Sequence, residues 1–420
     1  MKKEELYELL YGQQKDFEEI NDLVDRSLIK DLKNLVKLQM PIIITGVRRC
    51  GKSSLLSLVK DNLHLKEKEF LYINFNDERF VGFEVSNFQD ILNYIVENDY
   101  SKNCFLFIDE IQEVNNWEKW VDRIKSKFNI FITGSNSKLL STEISTVLTG
   151  RSINISLYPF SFLEFLIFNK VELKNYKLDK NIQRIIKKNF KDYFENGGFP
   201  KMVKDKNRII LKEIYENIIY RDIVNRFNKN LIKPIKEISV YLQSNIATDL
   251  SLRTLSKISG IKNLATLKNI LEAFESSFLF FSTNKFDYSV KKQIQNPKKI
   301  YSIDNGFSFN LGFKFSEDLG NFLENLVAIE LKRREKDIFY HRKKNECDFV
   351  VREGKSILEA IQVCYRLNKE NRGREINGLL DAMNKFKLKK GLILTYDDEE
   401  EIVTEGKKII VKPVWKWLLE

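Results

Sequence analysis

The stretch Pro41-Ile-Ile-Ile-Thr-Gly-Val-Arg-Arg-Cys-Gly-Lys-Ser-Ser-Leu-Leu56 joins a short β-branched run to Gly46-x4-Gly51-Lys52-Ser53. Three consecutive isoleucines favour a buried strand. The two glycines let the chain after it curl tightly and present main-chain N–H groups to an anion without a Cβ in the way. Lys52 is spaced to reach the β and γ phosphates, and Ser53, in the first turn of the next helix, to hold Mg2+ by its hydroxyl. That helix adds the partial positive charge of its N-terminus, and Leu55, Leu56 and Val59 give it an apolar side. Strand, loop and helix in this order predict a phosphate-binding loop. Gly46, Val47, Arg48, Arg49, Cys50, Gly51, Lys52, Ser53 and Ser54 are its expected contacts to a nucleoside triphosphate.

A second apolar run, Cys104-Phe-Leu-Phe-Ile108, delivers Asp109 and Glu110 at its carboxyl end. Carboxylates closing a buried strand are costly unless they have a partner. In a Walker B strand the aspartate completes the Mg2+ shell with Ser53, and the glutamate orients or deprotonates the attacking water. On this reading Lys52, Asp109 and Glu110 make the chain a hydrolase. The structural alternative is a surface pair capping a helix at Ile111.

The runs Phe70–Phe75 and Asn129–Thr133 read as further strands. Helical patterns at Phe88–Val96 and around Trp117 and Trp120 alternate with them, which predicts a parallel sheet covered on both faces. The strand at 129 ends in Thr133-Gly-Ser-Asn-Ser137, so Ser135 or Asn136 is the candidate sensor that orients water against the γ-phosphate. The same residue types also make ordinary helix caps. Arg151, just before the apolar run Ile153–Leu157, is placed to act as an arginine finger toward a neighbouring subunit; a solvated turn arginine is the plain alternative.

At 420 residues the chain exceeds one core, and two to four domains are expected. No apolar stretch approaches the roughly 20 residues needed to span a bilayer. The start Met1-Lys-Lys-Glu-Glu-Leu6 lacks the apolar segment of a secretory signal, so the expectation is a cytoplasmic protein that does not enter a membrane. The four cysteines and two histidines are too scattered for a disulfide framework or a zinc site. A net charge of +11 fits an anionic partner such as DNA, although heavy use of Lys, Asn and Ile also follows from an AT-rich genome.

Residues 1–40 read as helical and lead into the nucleotide core, which extends to residue 160. Residues 161–230 read as a basic helical lid, interrupted once at Asn196-Gly-Gly-Phe-Pro200. From 231 to 300 the pattern is helix, short helix, a turn at Ser259-Gly260, and an amphipathic helix on which Leu264, Leu267, Ile270, Leu271 and Phe274 form one stripe. This is a helix-turn-helix arrangement, and the basic tract Lys285–Lys299 after Phe278–Phe281 is expected to form a β-wing. Lys291, Lys292, Lys298 and Lys299 would then face phosphates. Such domains also serve as packing modules inside ATPases.

With the loop, Asp109-Glu110, Gly150-Arg151 and Pro159-Phe-Ser-Phe-Leu-Glu164 in view, the chain resembles a family of prokaryotic ATPases. Gly197-Gly-Phe-Pro200, Tyr220-Arg-Asp-Ile-Val224, Asn296-Pro-Lys-Lys-Ile-Tyr301 with Asp304, and Val414-Trp-Lys-Trp-Leu418 extend the likeness over nearly the whole sequence. In that family an AAA-type core precedes a winged helix and a C-terminal domain of restriction-endonuclease-like fold. The resemblance implies an α/β fold with an additional-strand P-loop parallel sheet, ATP and Mg2+ as ligands, a homo-oligomer, and a nuclease-like domain over 301–420.

In that last domain the helix Phe322–Arg333 carries Glu324 and Glu330, and two strands follow at Cys347–Val351 and Ile357–Tyr365. Asp348 fits the first metal-binding position of endonuclease-like folds. The second motif reads Gln362-Val363-Cys364 where Glu-x-Lys is usual, so the site loses a carboxylate and an ammonium. Glu359 lies three positions from Gln362 along the strand, on the opposite face. The expectation is a degenerate domain used for binding or assembly. Three functional readings follow: an ATPase coupled to DNA binding or remodelling, a regulatory switch ATPase acting on a protein partner, and an ATP-coupled nuclease.

Overall fold

The computed structural model describes residues 1–21, 23–135, 150–312 and 319–420. The chain divides into two compact units, Met1–Leu157 and Tyr158–Glu420.

In the first unit, strands β1 (Ile42–Thr45), β2 (Phe70–Asn74), β3 (Phe105–Asp109), β4 (Asn129–Gly134) and β5 (Ile153–Ser156) form one sheet in the order β2-β3-β4-β1-β5. Every pairing is parallel. Parallel strands are buried on both faces, which is why they are near-continuous runs of Ile, Leu and Phe. β4 lies between the loop-bearing β1 and the Asp109-bearing β3, the extra strand that the family resemblance implies. Phe88, Ile91, Trp117, Trp120 and Val121 from flanking helices pack with Leu71, Ile73, Leu106 and Ile108 in one apolar cluster.

β2 is an edge strand, and two glutamines of the N-terminal helix Lys3–Glu18 close it. Gln13 accepts from the Asn74 amide at 2.9 Å and donates to the Asn74 carbonyl at 3.1 Å, while Gln14 accepts from the Tyr72 amide at 3.0 Å. Both side chains are buried. They satisfy ladder groups that would otherwise template another strand.

The second unit begins with helices Phe162–Phe168, Lys180–Asn196, Pro200–Asp205 and Ile209–Asn217, the last running into a π-helical turn, Ile218–Ile223. The helical segment is therefore broken before Lys180 and again before Ile209, beyond the single interruption expected. Helix Ile232–Ser244, β6 (Thr248–Asp249), helices Leu252–Ser259 and Leu264–Ser276, β7 (Phe280–Thr283) and β8 (Lys299–Ser302) come next. β6, β8 and β7 form a three-stranded antiparallel sheet in that order. A short helix, Val290–Gln295, occupies the connection between β7 and β8, where the sequence suggests extended structure. Leu267, Ile270 and Phe274 are buried, but Leu264 at the start of that stripe is half exposed.

After helix Leu319–Arg333 come β9 (Asp337–Arg342), β10 (Glu346–Glu353), β11 (Ser356–Val363), helix Arg372–Phe386, β12 (Lys390–Thr395), β13 (Glu400–Thr404) and β14 (Lys407–Pro413). They form a mixed sheet in the order β13-β14-β12-β11-β10-β9, parallel at β11-β12 and β12-β14 and antiparallel elsewhere.

Two of the motifs behind the resemblance meet in this unit. The buried Asp304 carboxylate accepts from the amides of Gly198 and Gly306, both at 2.8 Å. Gly197 takes φ +76°, and a Cβ there would lie 1.7 Å from Asp304 Oδ1, so only glycine fits. Burial pushes the Asp304 carboxyl up to about 7 against the pull of those two amides.

Candidate nucleotide site and a second polar pocket

The loop after β1 leads directly into helix Lys52–Asn62, with Gly51 at its N-cap in a left-handed conformation (φ 102°). Gly46 is required for a packing reason as well, because a Cβ there would sit 2.2 Å from the Leu157 carbonyl oxygen. Val47, Cys50 and Lys52 are buried, Arg48, Ser53 and Ser54 half-buried, and Arg49 exposed. Burial raises the Cys50 thiol, so it acts as a small packing group. The buried guanidinium of Arg26 donates to the Cys50 carbonyl at 3.1 Å and braces the loop from outside the motif.

Sheet order carries Ser53 and Asp109 together across β4. Ser53 Oγ donates to Asp109 Oδ2 at 2.5 Å, and Tyr72 OH donates to the same oxygen at 2.9 Å. The other oxygen, Oδ1, accepts from the Thr133 hydroxyl, which also accepts from the Glu110 amide at 3.2 Å. Lys52 Nζ lies 3.1 Å from the Gly46 carbonyl oxygen and 3.5 Å from Glu110 Oε1. Glu110 Oε2 accepts from Gln112 and, at 3.0 Å, from the Ser135 amide.

Burial and the neighbouring Glu110 charge raise the Asp109 carboxyl. Burial also acts on Glu110, but the Lys52 ammonium, Gln112 and the Ser135 amide outweigh it and hold that carboxyl below its ordinary range. Adjacent carboxylates whose environments push them apart are a mark of divided acid and base roles.

Of the expected residues, Lys52, Ser53, Asp109, Glu110 and Ser135 converge here, Ser135 through its main-chain amide. Asn136 lies outside the described residues. Arg151 precedes β5, whose register with β1 puts it at the end of the sheet opposite the loop. It is exposed, 3.6 Å from Asp122, and lines a basic recess with Lys125 and Lys127. Tyr72 and Thr133 were not singled out by the sequence, because only strand register brings them to Asp109.

The second unit has a polar cavity of about 800 Å³ lined by Lys299, Glu324, Glu346, Asp348, Gln362 and Glu375 among others. Cys364 lines it too, as a buried thiol pushed up out of reach of ionisation. Glu359 is exposed opposite Val351 and is not part of the lining. Two expectations need correction. Lys299 does not face solvent from a wing: it is 3% exposed and surrounded by carboxylates. Nor does the pocket lack an ammonium: the side chain of Lys299 brings one in from β8, a strand of the three-stranded sheet, and Glu324 adds a carboxylate from the preceding helix.

The all-parallel five-strand sheet with a glycine loop after β1 and paired acids at the end of β3 defines an AAA-type nucleotide-binding core, and the family model "AAA domain" matches residues 39–166. A second model, a domain of unknown function (DUF8612), matches residues 187–317. The chain is 38% identical to uncharacterized protein MJ1544 of Methanocaldococcus jannaschii, over 93% of this chain and 90% of that one. It is 31% identical to an uncharacterized protein of Haemophilus influenzae, over 90% and 94% of the two chains. It belongs to the family that contains these two proteins. Chromosomal replication initiator protein DnaA of Buchnera aphidicola shows 23% identity over 73% of this chain and 75% of its own.

Proposed function

We propose that the chain is a Mg2+-dependent ATPase whose turnover is coupled to DNA. The observation that carries this reading is the convergence of Lys52, Ser53, Asp109 and Glu110 on one end of a parallel sheet. Ser53 and Asp109 offer adjacent oxygens of the kind Mg2+ prefers; when bound, the ion neutralises charge on the phosphates. Lys52 and the amides at the start of its helix bind the phosphates. A phosphate competes with Glu110 for the Lys52 ammonium, and losing that partner lets the Glu110 carboxyl rise toward the range in which it accepts a proton from water. Thr133 and Tyr72 fix the orientation of Asp109. Arg151 lies at the far end of the sheet from its own loop, and on this reading it serves a neighbouring copy rather than its own nucleotide.

Support for DNA comes from the net charge of +11 and from the helix, strand, helix, helix and hairpin order over 232–302, which is that of a winged helix. The likeness to a replication initiator adds to it. Burial of Lys299 removes one of the four wing lysines, which favours a second reading: a regulatory ATPase acting on a protein partner, with this module used for packing.

The test is ATPase rate with and without duplex DNA across a salt series. Stimulation by DNA whose affinity falls steeply with log salt supports the first reading, since counterions leave the phosphates on binding. Absence of stimulation and of binding at low salt supports the second. Lys52→Ala should lose ATP binding, whereas Glu110→Gln should keep it and lose turnover on the order of 100-fold or more; equal loss of both in Glu110→Gln would remove its role as water activator.

A further inference from the structure

Lys299 reaches out of β8 into a pocket built by other elements. Its ammonium lies 2.9 Å from Glu324 Oε1, 2.6 Å from Glu346 Oε1 and 3.3 Å from Asp348 Oδ1. These carboxylates come from helix Leu319–Arg333 and from β10, and the lysine, Glu324 and Asp348 are each under a tenth exposed. An uncompensated lysine so deeply buried would be very costly.

We propose that the Lys299 ammonium is the built-in cation of this pocket and closes it to divalent metal. The spacing is the first argument. Oxygens at 2.6–3.3 Å from one nitrogen are at N–H···O distances, whereas Mg2+ draws its ligands to about 2.0–2.1 Å and Ca2+ to about 2.3–2.6 Å. An ammonium also has three N–H donors for three carboxylates.

The second argument is that the second oxygens of two of the three carboxylates are also engaged. Asp348 Oδ2 accepts from the Val363 amide at 2.9 Å and Glu346 Oε2 accepts from Arg342, while Glu324 Oε1, already bound to the lysine, also accepts from Tyr301 OH at 2.8 Å. Gln362, at the position where an endonuclease-like site has its second acid, is engaged at both ends: its Oε1 accepts from the Asp348 amide at 3.3 Å and its Nε2 donates to Glu375 at 2.7 Å. Among the described residues no group of three or more His, Cys, Asp or Glu is disposed to hold a metal ion. Metal-activated water is thus not available for phosphodiester cleavage in this pocket, which instead ties β8 to the C-terminal sheet through a charge.

Mn2+ uptake by the full chain, read from the electron paramagnetic resonance signal of the free ion, tests this. Wild type and Asp348→Asn should take up equal amounts. Lys299→Met should gain one ion per chain, and Lys299→Met with Asp348→Asn should lose it again. Uptake in wild type that disappears in Asp348→Asn would overturn the proposal, as would Lys299→Met protein with an unchanged circular dichroism spectrum and no gained ion. If Lys299→Met does not fold, the wild-type and Asp348→Asn pair still decides: equal uptake supports the inference and unequal uptake sinks it. Nicking of supercoiled DNA by wild type that Asp348→Ala abolishes would count against it independently.

Discussion

Thr133 shows how one hydroxyl can hold a site together. It donates to Asp109 and accepts from the Glu110 amide, so it sets the direction of the first acid and the path of the chain into the second. Thr133→Val keeps the shape and removes both bonds. We expect ATP binding within a few-fold of wild type and turnover lower by about 10- to 100-fold, as for other supports of metal-binding carboxylates. Fluorescent-nucleotide titration and phosphate release separate the two effects. His341 is a second residue with a measurable signature. It is 1% exposed, neither ring nitrogen has a hydrogen-bond partner, and burial with the nearby charges of Lys385, Lys285 and Lys343 lowers it to about 4, against a smaller opposing effect of Asp381. Because its folded value lies below the ordinary 6.5, folding favours the neutral ring. That contribution is fully present above pH 6.5 and is lost as pH falls toward 4. Urea midpoints of His341→Leu should therefore decline less than those of wild type over this window; parallel declines would show that the ring is not buried neutral.

At the scale of elements, the closed edge of β2 rests on the main-chain bonds of Gln13 and Gln14. Replacing either with Ala strands buried amide or carbonyl groups and should cost about 1–3 kcal/mol. Light scattering of the double variant near its melting temperature should reveal association that wild type lacks, and an unchanged melting temperature would show that water replaces the glutamines. How much of these elements was legible depends on distance along the chain. The loop at 46–53 and the pair at 109–110 are local patterns, set by strand burial and by the geometry of one turn, and both elements form where the residues place them. Tyr72 carries no local signal and Thr133 only that of a polar strand end, since Asp109 meets them through the β2-β3-β4 register. In the sequence Lys299 looks like one of a run of surface lysines, because its partners Glu324 and Asp348 lie 25 and 49 residues away. The short helix Val290–Gln295 is illegible for a different reason: six residues rich in Lys and Gln have no periodicity to read.

At the scale of the whole molecule, Arg151 raises the question of assembly. Its position beyond the amino end of β5 places it away from its own loop, so on the proposed reading any contribution to turnover is made to a neighbour's site. Arg151→Ala should bind ATP normally and hydrolyse it slowly. Mixed with Glu110→Gln, it should regain part of the wild-type rate, because some interfaces then pair an intact arginine with an intact glutamate. Mixtures no faster than the sum of their parts would leave Arg151 as the solvated partner of Asp122. Among the described residues no helix is long and apolar enough to cross a membrane.

The amides of Gln13 and Gln14 carry no charge, and this has a use. Electrolyte that strips a cationic surface from nucleic acid does not compete for uncharged donors and acceptors held away from water. Raising ionic strength should therefore release any polyanion held as proposed while leaving the flank of the parallel sheet sealed, so that the protein recovered at high salt does not associate through β2.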